Sequence, residues 1–222
     1  MKPDFNSQNN DPSACCHLFY EQDWVRQLAL ENFHPGGEDL TRKMIQFMAL
    51  KPGDVIADLG CGVGTSAIML AADYGLSVKA IDLSESNIEY AQTKIKESAE
   101  SAVDISFQQA SAEQLPWKEN SLDGAIAECT FSLFPDKGAV LQSVKNCLKP
   151  GAQLAVSDMV IGSGLPAELK DRLAPWTCIA DAMSIEGYKT LFLDNGYKIL
   201  ADMDESQGLY DLISQVKRQI LL

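Results

Sequence analysis

No stretch of this chain approaches the roughly eighteen consecutive apolar residues that a membrane span needs, so no transmembrane helix is expected. The opening run Met1-Lys2-Pro3-Asp4-Phe5-Asn6-Ser7-Gln8-Asn9-Asn10 lacks the apolar centre of a secretion signal. A cytoplasmic location without membrane attachment follows as the expectation. Positive charge is scarce: 18 Lys and Arg stand against 31 Asp and Glu, a net charge of −13. A field of that sign repels phosphate backbones, so nucleic acid is not an expected partner. Histidine is nearly missing, with His17 and His34 the only 2. Cysteine is present at positions 15, 16, 61, 129, 147 and 178, but no separated C-x-x-C pairs mark a zinc site. No metal site is expected, and in a reducing compartment each thiol reads first as a small buried hydrophobe. What remains is a globular composition, 46% hydrophobic and 22% charged over 222 residues. That suits one large domain or one domain with an appendage.

The punctuation of the chain divides it into three parts. Residues 1–13 are polar with two prolines, a flexible tail. Residues 14–50 read as a helical N-terminal cap, with Trp24 and Leu28, then Met44, Ile45 and Met48 at helical spacing. The breaker His34-Pro35-Gly36-Gly37 interrupts it. Residues 51–222 then alternate. Strands are expected over 55–58, 78–82, 105–107, 122–128, 153–159 and 197–203. Helices are expected over 65–74, from Ser84 to about 101, over 136–148, over 166–194 with a break near Ser184, and over 208–222. Repeated strand–helix–strand units with short apolar strands predict an α/β, Rossmann-like, doubly wound and mostly parallel sheet. Such a sheet binds its ligand at the carboxyl ends of its strands.

The chemistry begins at Asp58-Leu59-Gly60-Cys61-Gly62-Val63-Gly64-Thr65, between the first strand and its helix. Glycines there allow a sharp turn and close approach to a ligand. A dinucleotide fingerprint counted from Gly60 needs a third glycine at position 65, which is Thr. No Lys-Ser or Lys-Thr pair ends the loop, which excludes a P-loop. A carboxylate at Asp58 suits an ammonium group better than a pyrophosphate. Asp82 ends the second strand, where an acid accepts hydrogen bonds from ribose hydroxyls, although strand-end aspartates also serve turns.

These residues resemble the D-x-G-x-G-x-G loop and ribose-binding acid of class I S-adenosylmethionine-dependent methyltransferases. Ala110-Ser111-Ala112-Glu113-Gln114-Leu115-Pro116 resembles the motif that follows their third strand, with Ser111 where the family usually has Asp. The resemblance implies S-adenosyl-L-methionine as cofactor. It implies contacts from Asp58, Gly60, Cys61, Gly62 and Gly64 to the amino-acid part, and from Asp82 and Leu83 to the ribose side. Ser111, Ala112 and Glu113 would border the adenine. Glu128, ending the fourth strand, would hold the cofactor's amine or the acceptor; its plain reading is a strand-end acid bonded to backbone.

The acceptor is a small molecule on this reading. Cys129 follows the fourth strand, Cys178 lies beyond the fifth, and Cys15 and Cys16 sit near the N-terminus. Soft metalloids prefer thiolates. The pattern resembles arsenite methyltransferases, with Cys129, Asp136-Lys137 and Cys178 in place and Ala14-Cys15-Cys16 a looser match. That implies trivalent arsenic or another soft, thiol-bound acceptor, with Cys129 and Cys178 catalytic and Cys15 and Cys16 at the substrate. Ser132-Leu133 replaces that family's Asn-Leu. His34 acts at the cofactor's edge or as a lid, or is a capping or merely exposed residue. Trp176, Trp24 and Tyr20 line the acceptor cavity or belong to the core. The alternatives are an O-, N- or C-methyltransferase of a non-metalloid small molecule and a non-catalytic S-adenosylmethionine-binding protein. This fold usually ends in a seventh, antiparallel strand, which is not evident after Met203. An open sheet edge leaves monomer or homodimer as the expected state.

Overall fold

The structure is a computed structural model that describes residues 34–97, 103–162 and 181–220. The cap helix α1 spans Gly37–Met48, and β1 spans Val55–Leu59. They are followed by α2 (Thr65–Tyr74), β2 (Ser77–Asp82), α3 (Glu85–Glu97) and β3 (Ile105–Gln109). Then come β4 (Leu122–Glu128), α4 (Lys137–Cys147), β5 (Leu148–Ser157), α5 (Ile185–Asp194) and α6 (Ser206–Ile220). The sheet runs β3-β2-β1-β4-β5, and every ladder is parallel. The order reverses between β1 and β2 on one side and β4 on the other, so the crevice opens at the ends of β1 and β4.

Both faces of the sheet are covered, which is why its strands carry apolar residues at consecutive positions. Ile56, Val78, Ala80 and Ile126 join Met44, Met48 and Leu70 in one cluster. Ala57, Leu59, Ala125 and Ala127 face the other way, against Val140, Leu141, Val144 and the ring of Phe131. The Ser84 hydroxyl accepts from the Asn87 amide at 3.1 Å, capping α3 at the residue where the sequence starts that helix.

The expected sixth strand over 197–203 does not form; residues 197–205 are irregular. The segment is drawn onto the helices instead. The Tyr197 hydroxyl donates to the Leu141 carbonyl at 2.8 Å, its ring meets Phe192 edge-on, and Asp202 pairs with Lys189 at 2.6 Å. Alternation alone makes no strand without a neighbouring ladder, and Leu200 and Met203 are left exposed. At β5 the expected start at Gln153 moves back to Leu148, because Leu148 pairs with Leu122 and the Lys149-Pro150-Gly151 turn is absorbed as an irregularity in the ladder.

Helix α6 packs on the loop before α1. A Cβ on Gly208 would lie 2.6 Å from the Gly36 nitrogen and 2.7 Å from its Cα. Lys43 ties α1 to the Glu205 carboxylate just before α6 at 2.8 Å. Backbone cannot yield as a flexible side chain can, so Gly208→Ala is expected to lever α6 away from residues 34–37. The change should cost about 1–3 kcal/mol, as overpacking does, and thermal denaturation against wild type checks it. An unchanged melting point would show that this contact is loose.

Candidate active site

Four strand ends build the site. Gly60 and Cys61 both donate to the Ile81 carbonyl at 2.8 Å, which folds the glycine loop over the end of β2. Gly62 donates to Asp82 Oδ2 at 2.8 Å, and Asp82 Oδ1 accepts from the Ser84 amide at 2.8 Å. Asp82 therefore stands at the edge of the loop, where the sequence places it. Gly60, Gly62 and Gly64 all have left-handed backbone, with φ of 73°, 52° and 79°. A Cβ on Gly60 would collide with Thr130 Oγ1 and one on Gly64 with the Phe107 ring, whereas one on Gly62 would meet nothing within 4 Å among the described residues. The loop is packed from below at two glycines and open at the middle one, a cradle for a ligand.

Asp58 ends buried, 3% exposed, and among the described residues its Oδ2 has no hydrogen-bond partner. Burial pushes its carboxyl well above the usual range, and the neighbouring Glu128 and Asp82 push it further. Glu128 lies at the end of β4 with its side chain 5% exposed. Its Oε1 accepts from Thr41 Oγ1 of α1 at 2.8 Å, while Oε2 is buried without a partner. Among the described residues no lysine or arginine pairs with Asp58 or Glu128. His34 Nδ1 lies 3.9 Å from Glu128 Oε1, and among the described residues neither of its buried ring nitrogens has a hydrogen-bond partner. Orphaned buried carboxylate oxygens carry a free-energy cost that a cationic ligand removes.

Cys129 follows Glu128 with a left-handed φ of 52°, its amide donating to the Ser157 carbonyl at 2.8 Å. Such backbone is rare outside glycine and clusters at functional sites. Its thiol, like those of Cys61 and Cys147, is not in a disulfide. Burial and the nearby Asp58 and Asp82 push the Cys61 thiol up, so it stays protonated and is not a nucleophile. Leu83 is exposed beside Asp82, and Ala112 is buried. The Ser111 hydroxyl bonds the Glu113 carboxylate, whose Oε1 is buried and unbonded. Cys15, Cys16, Trp176 and Cys178, with Trp24 and Tyr20, lie outside the described residues. Among the described residues, no group of three or more His, Cys, Asp or Glu is placed to hold a metal ion, and no helix is long and apolar enough to cross a membrane.

One strand-end acid is missing from the sequence reading. Asp158, just past β5, accepts from the Ser132 backbone amide, from Ser132 Oγ at 2.9 Å and from the Met159 amide at 2.6 Å. Burial pushes its carboxyl up to about 6, opposed by those donors and by Lys137. Ser132, where arsenite methyltransferases carry Asn, thus ties the β4 loop to the end of β5. The signal was available, since an apolar strand ending in Asp is the pattern that marks Asp58; running the strand on to Met159 hides it.

A family model described as a methyltransferase domain matches residues 50–212. The O-methyltransferase resE of Aspergillus sclerotiorum is 30% identical over 182 residues, 82% of this chain and 69% of that protein. The arsenite methyltransferase of Halobacterium salinarum is 27% identical over 165 residues, 72% of this chain but 42% of that protein. Among solved structures, phosphoethanolamine N-methyltransferase 2 of Haemonchus contortus in complex with S-adenosyl-L-methionine superposes with a TM-score of 0.81 at 17% identity. That superposition covers 97% of this chain and 51% of the other.

Proposed function

Since the chain belongs to the methyltransferase-domain family, we propose that it transfers the methyl group of S-adenosyl-L-methionine to a hydroxyl oxygen of a small molecule. The observation that supports the cofactor best is the pair of buried, unpartnered carboxylate oxygens, Asp58 Oδ2 and Glu128 Oε2. When bound, S-adenosylmethionine supplies a sulfonium-activated methyl group and carries an α-ammonium. Two carboxylates in a site of restricted solvent suit those positive charges and hold them in place. The open face of Gly62 admits the amino-acid part, with Gly60, Cys61 and Gly64 shaping the loop beneath it. Asp82 and Leu83 take the ribose side. Ser111, Ala112 and Glu113 border the adenine, with Glu113 Oε1 an acceptor still without a donor. The chain's contribution to rate is alignment and exclusion of water around an in-line displacement.

Oxygen is favoured over arsenic as acceptor by the relatives the chain matches. The O-methyltransferase relative is matched over 69% of its length and the arsenite enzyme over 42%. The test is S-adenosylhomocysteine production with phenol, catechol, benzyl alcohol, a thiol and arsenite offered separately. Turnover with a hydroxyl compound is expected. Turnover with arsenite alone, abolished by Cys129→Ser, would restore the metalloid reading.

A further inference from the structure

We propose that His34 is the general base that removes the acceptor's hydroxyl proton and that Glu128 positions it; this deepens the methyl transfer to oxygen proposed above and rests on it. Both ring nitrogens of His34 are buried without a hydrogen-bond partner. A buried imidazole with neither nitrogen satisfied is costly for stability alone, and it is explained if a ligand completes the site. Nδ1 lies 3.9 Å from Glu128 Oε1, too long for a hydrogen bond and close enough to become one on a small closure. Catalytic hydrogen bonds are often this long before substrate binds. Glu128 cannot drift, because Thr41 of the buried face of α1 donates to the same oxygen at 2.8 Å. With Nδ1–H directed at Glu128, Nε2 carries the free lone pair.

The backbone holds His34 in place. The Gly37 amide donates to the His34 carbonyl at 3.1 Å, closing the turn that precedes α1. Gly36 within it has φ 88°, and a Cβ there would lie 2.7 Å from Leu40 Cβ. Gly208 of α6 closes over Pro35 and Gly36 from outside. A histidine on an ordinary exposed loop has no such support.

The step balances. The new C–O bond forms as the donor's C–S bond breaks, and the electron pair of that bond stays on sulfur. The hydroxyl proton passes to His34 Nε2, leaving an imidazolium beside the Glu128 carboxylate. The positive charge lost at the sulfonium therefore reappears on His34, within reach of the same carboxylate, and the site's net charge is unchanged.

The experiment compares wild type with His34→Ala, His34→Gln and Glu128→Gln, using phenol, catechol and benzyl alcohol as acceptors. S-adenosylhomocysteine formation is followed against pH, and S-adenosylmethionine affinity is measured separately by calorimetry. Loss of a general base typically costs about 10²–10⁴ in rate. His34→Ala and His34→Gln are expected to lose at least ~100-fold in kcat with KM little changed. They should also lose the acid limb of the pH profile, and added imidazole should partly restore His34→Ala. Their S-adenosylmethionine affinity should stay within about threefold, a ΔG change under ~0.7 kcal/mol. The inference is overturned if either His34 variant keeps the wild-type rate and acid limb, or if cofactor affinity falls in step with rate. It is also overturned if the wild type binds S-adenosylmethionine yet methylates none of the three hydroxyl compounds. Absence of S-adenosylmethionine binding by the wild type would instead sink the underlying function.

Discussion

Asp58→Asn is expected to raise the melting temperature of the ligand-free protein while weakening S-adenosylmethionine binding. Losing a buried charged hydrogen bond costs about 2–3 kcal/mol, roughly 30- to 150-fold in affinity. The two effects have one cause. Asp58 is buried, one of its oxygens lacks a donor, and Glu128 and Asp82 raise its pKa beyond what burial alone does. An acid whose pKa is raised on folding binds more protons in the folded state than in the unfolded state. Stability of the ligand-free protein must therefore fall as pH rises from the ordinary carboxylate range toward the raised value. The ionised form is a liability that protonation or a bound cation relieves. The asparagine variant removes the charge, so its melting temperature should exceed the wild type's at pH 7 and slope less with pH. Saturating S-adenosylmethionine should raise the wild-type melting point well beyond that of the variant. Thermal melts from pH 4 to 8, with and without cofactor, check both halves. A variant that melts lower and binds as tightly would mean that Asp58 is structural.

The second large effect separates two neighbouring glycines. Gly60→Ala is expected to destabilise the fold, and Gly62→Ala to leave it standing but without a cofactor site. A left-handed alanine costs about 1–2 kcal/mol at either position. At Gly60 the added Cβ would also overlap Thr130, with Oγ1 inside contact distance and Cβ at 2.9 Å. Thr130 sits between Cys129 and the buried Phe131, and its β-branched side chain has few rotamers in which to escape. The sum for Gly60→Ala should reach about 3–5 kcal/mol, a large share of a domain's stability. At Gly62 an added Cβ meets no atom of the described residues within 4 Å, so the loss should stop at the conformational term. The same empty space is what the ligand is proposed to use, and a methyl group there should weaken S-adenosylmethionine by tenfold or more, about 1.4 kcal/mol. Urea denaturation and calorimetry on the two variants decide it. Equal stability, or full binding by Gly62→Ala, would contradict the placement of the cofactor.

Much of the fold was legible because its signals are local. The apolar runs around Ala57, Ala80 and Ala125 are buried on both sides, and Ser84 and Asn87 mark a cap at fixed spacing. The stretch at Tyr197–Met203 misled because whether an alternating segment pairs depends on the sheet edge and not on the segment. Tyr197 and Asp202 found better partners on α4 and α5. Within the site, Asp58, Asp82 and Glu128 were legible from their places at strand ends. Their coupling was not, because it depends on how β1, β2 and β4 sit side by side. The approach of His34 to Glu128 spans 94 positions between 34 and 128 and has no local signature. Asp158 was hidden by a misplaced strand end. The thiols that suggest arsenic are legible only as residue types, because spacing along the chain does not say which of them meet at one site.

The central claim is that the acidic end of β1 and β4 holds a cationic methyl donor. Isothermal calorimetry of S-adenosylmethionine into the purified protein at pH 7 tests it most directly, alongside Asp58→Asn and Glu128→Gln. The account predicts micromolar binding by the wild type and a loss of at least about tenfold, near 1.4 kcal/mol, in each variant. Absence of wild-type binding below millimolar concentration, or equal affinity in all three proteins, would contradict it.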